Sequence, residues 1–162
     1  MNPRLSIPVF GLLTWLTLNT QAVEDSKWQG LRVPGFWEKS SGGVVAEHDG
    51  FAWYRCFLRV PADWQGETLT LDLGRIDDCD ETFFNGAKIG ARGTIQPYHS
   101  ASGEARQYAI APDRIRTGDW NLLTVRVWDG GGAGGIAAGP LRLSCGKGGD
   151  KPWRPLGVSY RR

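Results

Sequence analysis

Hydrophobic and polar positions alternate along most of this chain with a period of two. The first clear run is FAWYRCFLRV at 51–60. There Ala52, Tyr54, Cys56, Leu58 and Val60 share one face, and Phe51, Trp53, Arg55, Phe57 and Arg59 share the other. Alternation with aromatics on both faces predicts a β-strand packed on one side and partly covered on the other. Pro61 ends it, because proline has no N–H to give to a ladder. Residues 68–73 alternate again, with Leu69, Leu71 and Leu73 on a common side up to the break at Gly74. The strongest local signal spans 81–89, where Asn85-Gly86 separates two apolar runs. Asn-Gly accepts the positive φ angles of a type I′ turn, so a two-residue β-hairpin is expected. Further strands are expected at 106–111, 121–129 and 141–145, with one helical turn at 112–116 closed by Gly118 and a loop over the glycine run 130–135. Residues 27–45 read as irregular, anchored to the domain by Trp28, Phe36 and Trp37. No sustained 3.6-residue apolar period and no internal repeat interrupts the pattern. About eight short strands at even spacing predict an all-β fold, a jelly-roll β-sandwich.

Composition agrees. The 23 Gly, 9 Pro and 8 Trp among 162 residues suit tight loops and short strands better than helical bundles. That length holds one domain with a real core and is too short for two. The N-terminus has the pattern of an export signal: Arg4 is the only charge before Glu24, residues 7–18 are predominantly apolar, and Thr20-Gln21-Ala22 resembles a small-x-small cleavage site. The expected organisation is a signal peptide over 1–22, a mature chain starting near Val23, a domain over 23–145, and a loosely packed Gly- and Arg-rich tail over 146–162. The apolar stretch is short for a bilayer span, so the mature chain is expected to be secreted or periplasmic and free of the membrane. Losing Arg4 takes Lys+Arg from 19 to 18 against 17 Asp+Glu, a net charge of +1. Without a basic block there is no electrostatic footprint for nucleic acid. Cys56, Cys79 and Cys145 are odd in number for an exported chain, and both one disulfide with a free thiol and three buried thiols stay open. Cys56 lies inside a strand pattern, which suits a small buried hydrophobe. No Cys-x-x-Cys pair or His/Cys cluster points to zinc.

Four carboxylates crowd five positions at Asp77, Asp78, Asp80 and Glu81. Two readings stand beside each other: a hard-cation site such as a structural Ca²⁺, or acceptors for sugar hydroxyls, against Asx-type turns with alternate residues facing solvent. Neighbours on one short segment cannot form the acid pair of a glycosidase, which flanks a cleft. The glycine run lacks the Gly-Lys-Ser/Thr ending of a phosphate loop. His48 and His99, the only histidines, have no Gly-x-Ser-x-Gly elbow to serve and read as surface-loop residues. Trp37 and Trp64, beside loop residues, are the candidates for stacking on a sugar face, while Trp53 and Trp128 lie within strands and read as packing residues. No catalytic residue and no cofactor is assigned, apart from that open Ca²⁺ alternative.

Five segments taken in order carry a resemblance: VPGFWE (33–38), DGFAWYRCFLRVPADW (49–64), LDLGRIDDCDETFFNGAKIG (71–90), RQYAIAP (106–112) and NLLTVRVWDGGGAGGIAAGPLRL (121–143). Together they resemble the galactose-binding-like jelly-roll domain of family 2 glycoside hydrolases such as β-galactosidases. The chain looks closer still to the equivalent domain of sialate O-acetylesterase-like proteins, where IDD-x-DET-x-x-NG-x-x-x-G recurs. The resemblance implies a domain that packs against a catalytic domain and borders its substrate cleft, with the nucleophile and acid/base elsewhere. Its patterned positions fall on Trp53, Tyr54, Arg55, Asp77, Asp78, Asp80, Glu81, Asn85, Gly86 and Asp129. Much of that set reads as framework, with Arg55 on the more polar face of its strand as a partner for one of the carboxylates. The expected function is a non-catalytic carbohydrate-binding or carbohydrate-associated module with carbohydrate as its ligand; the alternatives are an accessory subunit docking on a separately encoded hydrolase chain, and last a hydrolase fragment. Trp37, Arg55, Trp64, Asp77, Asp78, Asp80, Glu81 and Asp129 are the candidate ligand-binding residues.

Overall fold

The computed structural model describes residues 28–40 and 48–146 with side chains (Ser40 by its backbone alone), and residues 158–161 by their backbone. The expected signal peptide, the start near Val23 and most of the 146–162 tail lie outside the described residues. The chain folds as an all-β sandwich of two antiparallel sheets. The strands are β1 (Gln29–Gly30), β2 (Gly50–Arg59), β3 (Leu69–Asp77), β4 (Cys79–Phe84), β5 (Ala87–Arg92), β6 (Ala105–Ile110), β7 (Trp120–Asp129), β8 (Gly135–Ala138), β9 (Arg142–Cys145) and β10 (Val158–Arg161). One helical turn, α1 (Trp37–Ser40), precedes β2. The first sheet has the order β1-β10-β2-β7-β4-β5; in the second, β3 pairs with β6 along one edge and with β8 and β9 along the other. Among the described residues no helix is long and apolar enough to cross a membrane.

The period-two reading of β2 holds residue by residue. Ala52, Tyr54, Cys56 and Leu58 are buried and meet Leu69, Leu71, Leu73 and Ile76 of β3 in one core, with Leu123, Val125 and Val127 of β7 beside them. Burial of these faces removes the apolar surface that holds the two sheets together. Asn85 and Gly86 have φ of 49° and 81°, the two positive angles a type I′ turn needs. The Asn85 side chain also donates to the Arg114 carbonyl at 2.7 Å and accepts from the Leu122 N–H at 2.9 Å, so the hairpin is pinned to β7.

Several boundaries differ from the sequence reading. Gly74 does not end its strand. It sits at a bulge with φ of 63°, and a Cβ there would fall 1.8 Å from the Ala138 carbonyl oxygen. The strand therefore continues to Asp77, and its extension recruits β8, a strand of Gly, Ile and Ala with little β propensity of its own. Among the described residues there are ten strands where about eight were expected, and β8 with the short pieces β1 and β10 are those to which the sequence reading assigned no run. Residues 158–161, inside the expected tail, pair with β2 through Val158↔Cys56 to Arg161↔Trp53. The three cysteines are separate buried thiols. Burial pushes the Cys56 thiol up to about 12, which fits its role as a small core residue.

A polar knot crosses the core. Asp80, on β4, faces inward between the sheets, and Arg106, on β6 of the opposite sheet, meets it with Nε 2.9 Å from Oδ1. Neither side chain has any solvent exposure. The Asp80 Oδ2 accepts from Thr82 Oγ1 at 2.9 Å and from the Tyr108 hydroxyl at 2.8 Å. The Arg106 guanidinium donates its remaining bonds to the carbonyls of Ala101, Glu104 and Asp78. Removing one partner strands the other charge in a medium that cannot solvate it. Arg106→Met is therefore expected to destabilise the domain by about 3–5 kcal/mol in urea unfolding. A loss under about 1 kcal/mol would show that the pair is not what joins the sheets here.

Candidate functional site

Strand parity splits the acidic segment into three environments. Asp80 faces inward to Arg106, Glu81 faces outward, and Asp77 and Asp78 sit at the rim where β3 passes to β4 through a cis peptide bond. Pairing of Cys79 with Trp128 brings Asp129, the last residue of β7, to the same rim. Carboxylate oxygens of Asp77, Asp78 and Asp129 all lie within 4.8 Å of one another. Asp78 accepts from Ser100 Oγ and from the Gly130 N–H at 3.0 Å, while its own N–H donates to the Trp128 carbonyl at 3.1 Å. Asp129 is 1% exposed; its Oδ1 accepts from the Gly131 N–H at 3.3 Å, and its Oδ2 is buried with no hydrogen-bond partner among the described residues. Glu38, on α1, accepts from the Gly134 N–H at 3.2 Å and turns its charge toward Asp129. The glycine run is required here: a Cβ at Gly134 would fall 2.2 Å from the Trp37 ring and 2.8 Å from the Asp129 Cβ.

The electrostatics follow from this crowding. Burial, followed by the hydrogen bond and charge of Asp78 and the charge of Asp129, raises the Asp77 carboxyl from its ordinary value of 3.8 to about 6. Burial also acts on Asp78, but the bonds it accepts from Ser100, Gly130, Tyr98 and Asp77 outweigh it and hold that carboxyl below its ordinary value. Burial raises Asp129, and the charges of Asp78, Asp49 and Glu38 add to it against the Gly131 N–H. Asp77 thus holds a proton for Asp78 under mildly acidic conditions. Chemically the rim offers a hydrogen-bonding or cation-holding group of hard oxygens.

Beside the rim lies a pocket of about 360 Å³ on the outer face of the larger sheet, lined in part by Phe51, Glu81, Lys88, Ile95, Arg126 and Trp128. The register builds it in rows: Phe51, Trp128 and Cys79 stand side by side, then Trp53, Arg126 and Glu81. The Arg126 guanidinium lies 4.8 Å from the Phe51 ring centroid and 5.9 Å from that of Trp53. Glu81 binds Lys88 at 2.6 Å and Arg126 at 2.5 Å, and the Lys88 bond, with the Arg126 charge, holds its carboxyl below the usual range against the effect of burial. Tyr98 packs on the pocket residue Trp128, its ring 5.5 Å away in an edge-on arrangement.

The candidate residues divide accordingly. Asp77, Asp78 and Asp129 come together, and Glu81 reaches the adjoining pocket. Asp80 offers nothing to a ligand because its side chain has no exposure. Trp37 and Trp64 correct the stacking expectation: they are 0% and 4% exposed, members of the core with no free face. Loop neighbours in the sequence misled there, since a loop side chain often anchors the loop by burying its ring. Arg55 has its guanidinium 4.3 Å from the Trp28 ring centroid, and the partners of the carboxylates are instead Arg106 for Asp80 and Lys88 with Arg126 for Glu81. Trp53 and Trp128, expected as packing residues, lie half-buried on the outer face. The alternation itself held the signal, because the face of β2 carrying Phe51 and Trp53 also carries Arg55 and Arg59. His48 bonds the Phe51 carbonyl oxygen at 3.0 Å and lies against Trp37, 5.5 Å between centroids.

No protein-family model matches the chain, and no curated protein matches it. Among solved structures it is similar to β-glucuronidase from Ruminococcus gnavus. Against the complex with N1-substituted uronic isofagomine, the TM-score is 0.51 at 19% identity, over 61% of this chain and 16% of that one. The complex with D-glucaro-d-lactam gives a TM-score of 0.51 at 19% identity over 60% and 16%. This chain therefore spans about a sixth of the length of the enzyme it matches. The likeness is one of fold.

The raised carboxyls set a pH dependence with a definite sign. Asp77 and Asp129 bind their protons more tightly folded than unfolded, so both cost stability as pH rises above their ordinary range, Asp77 over the interval from 3.8 to about 6. Asp78 and Glu81, shifted the other way, cost stability only as pH falls below their ordinary range. In metal-free buffer the melting temperature is expected to be higher at pH 5 than at pH 7, and Asp77→Asn is expected to flatten that slope. A melting temperature that climbs steadily from pH 5 to 7 would contradict this account.

Proposed function

We propose that this chain is an exported, non-catalytic carbohydrate-binding module of glycoside hydrolase type, taking its sugar in the pocket beside the acidic rim. The observation that carries this reading is the composition of that pocket. Phe51 and Trp128 supply apolar ring surface for the C–H face of a pyranose, and Glu81, Lys88 and Arg126 supply charged hydrogen-bonding groups for its hydroxyls. The volume falls in the range of small-molecule sites, about 300–1,000 Å³. The non-catalytic part rests on commitment of the carboxylates: Asp80 is bound to Arg106, Glu81 to Lys88 and Arg126, and Asp78 to Ser100 and Gly130. A hydrolase needs one such group poised as acid and another as base or nucleophile across its substrate.

A second reading, an accessory subunit docked on a separately encoded hydrolase, draws support from the far end of the same face. Phe57 and Trp120 are 50% and 47% exposed there, on neighbouring strands away from the pocket. Affinity electrophoresis in polysaccharide gels, followed by titration with the retained sugar, separates the two. Trp128→Ala and the more exposed Lys88→Ala are each expected to weaken sugar binding about tenfold or more while the domain stays folded. Absence of retention on every polysaccharide, with co-purification of a hydrolase through the Phe57 and Trp120 end, would replace the first reading with the second.

A further inference from the structure

The geometry points to a Ca²⁺ site at the rim, formed by carboxylate oxygens of Asp77, Asp78 and Asp129. Three observations carry it, and none depends on sugar binding. The first is spacing. One oxygen from each of the three residues lies within 4.8 Å of the others, inside the diameter of a Ca²⁺ coordination sphere, about 4.6–5.2 Å for ligands at 2.3–2.6 Å. The second is an orphaned acceptor. Asp129 is 1% exposed, and its Oδ2 has no hydrogen-bond partner among the described residues. A buried carboxylate oxygen without a donor costs far more than an exposed one, and a cation held by the Asp129 carboxylate offsets that cost. Glu38, whose Oε2 is likewise buried without a hydrogen-bond partner, adds a fourth negative charge near Asp129.

The third is chemistry. All donors are hard oxygens, with neither histidine nor cysteine in the cluster, which selects Ca²⁺ or Mg²⁺ over zinc or copper. Arg106, whose charge reaches Asp77, is committed to Asp80 and to backbone carbonyls. Ca²⁺ is favoured over Mg²⁺ because Asp78 and Asp129 are already held by Ser100, Gly130 and Gly131. Fixed ligands suit a large, irregular sphere better than a tight octahedron. Such an ion would clamp the β3–β4 connection to the end of β7, two segments far apart in the chain and adjacent only through the sheet.

The test uses the full chain, stripped with EDTA and dialysed at pH 7. Tb³⁺ is the direct probe, since Trp128 and Tyr98 stand beside the cluster and would sensitise its luminescence. The expected result is a saturable Tb³⁺ signal displaced by Ca²⁺, with a melting temperature about 5 °C higher in millimolar Ca²⁺. Asp129→Asn and Asp77→Asn should each abolish both responses, and Asp113→Asn, on a distant exposed turn, should keep them. Asp77 is half-buried, so its variant remains informative should Asp129→Asn fail to fold. A folded chain with no Tb³⁺ signal and no Ca²⁺ shift would overturn the proposal in favour of a proton shared between Asp77 and Asp78. Equal responses in the rim variants would overturn it as non-specific binding, and a shift with Mg²⁺ but not Ca²⁺ would overturn the choice of ion.

Discussion

A guanidinium with no solvent contact sits between the two sheets, and much of the molecule is arranged to keep it satisfied. Arg106 reaches Asp80 on the opposite sheet and three backbone carbonyls on the loop and connection beside it. An arginine cannot shed its charge inside a protein, so its burial is tolerated only where its donors find acceptors, as four of its five N–H groups do here. Meeting that requirement fixes the position of β4 relative to β6. It also draws in the Ala101 to Glu104 turn and holds the Asp78 carbonyl, from which the acidic rim projects.

The outer face follows from the same placement. With Asp80 committed inward, Glu81 must point outward, where the register sets it against Arg126 and the hairpin brings Lys88. Arg126 then lies across Phe51 and Trp53, and cation–π contact lets a charged row and an aromatic row occupy neighbouring positions on one sheet. The pocket and the rim therefore meet along one strand. One side of β4 builds the core, the other side lines the pocket, and the connection before it carries two of the three rim carboxylates.

Much of this is legible in the sequence. Alternation placed Ala52, Tyr54, Cys56 and Leu58 in the core, and Asn85-Gly86 specified its hairpin through backbone preference alone. What failed were features that depend on a neighbour. Gly74 reads as a break in isolation, yet it is a bulge that lets the Ala138 carbonyl approach, and β8 exists only because β3 continues past it. Trp37 and Trp64 look available beside loops until the sandwich closes over them. Arg106 gives no sign in the sequence that it, and not Arg55, is the partner of a carboxylate 26 residues earlier.

The sequence alone determined the fold class and the inward and outward faces of the main strands, and it marked the acidic segment as a candidate site. These are local properties: a period of two, a turn's φ angles, like charges too close to be neutral in consequence. Tertiary structure decided how that segment divides and what joins it. Asp129 reaches Asp77 and Asp78 because β7 pairs with β4, and aromatic rings meet Arg126 because β7 also pairs with β2. Strand parity says which way a side chain points. Only the non-local pairing of strands says what it meets there.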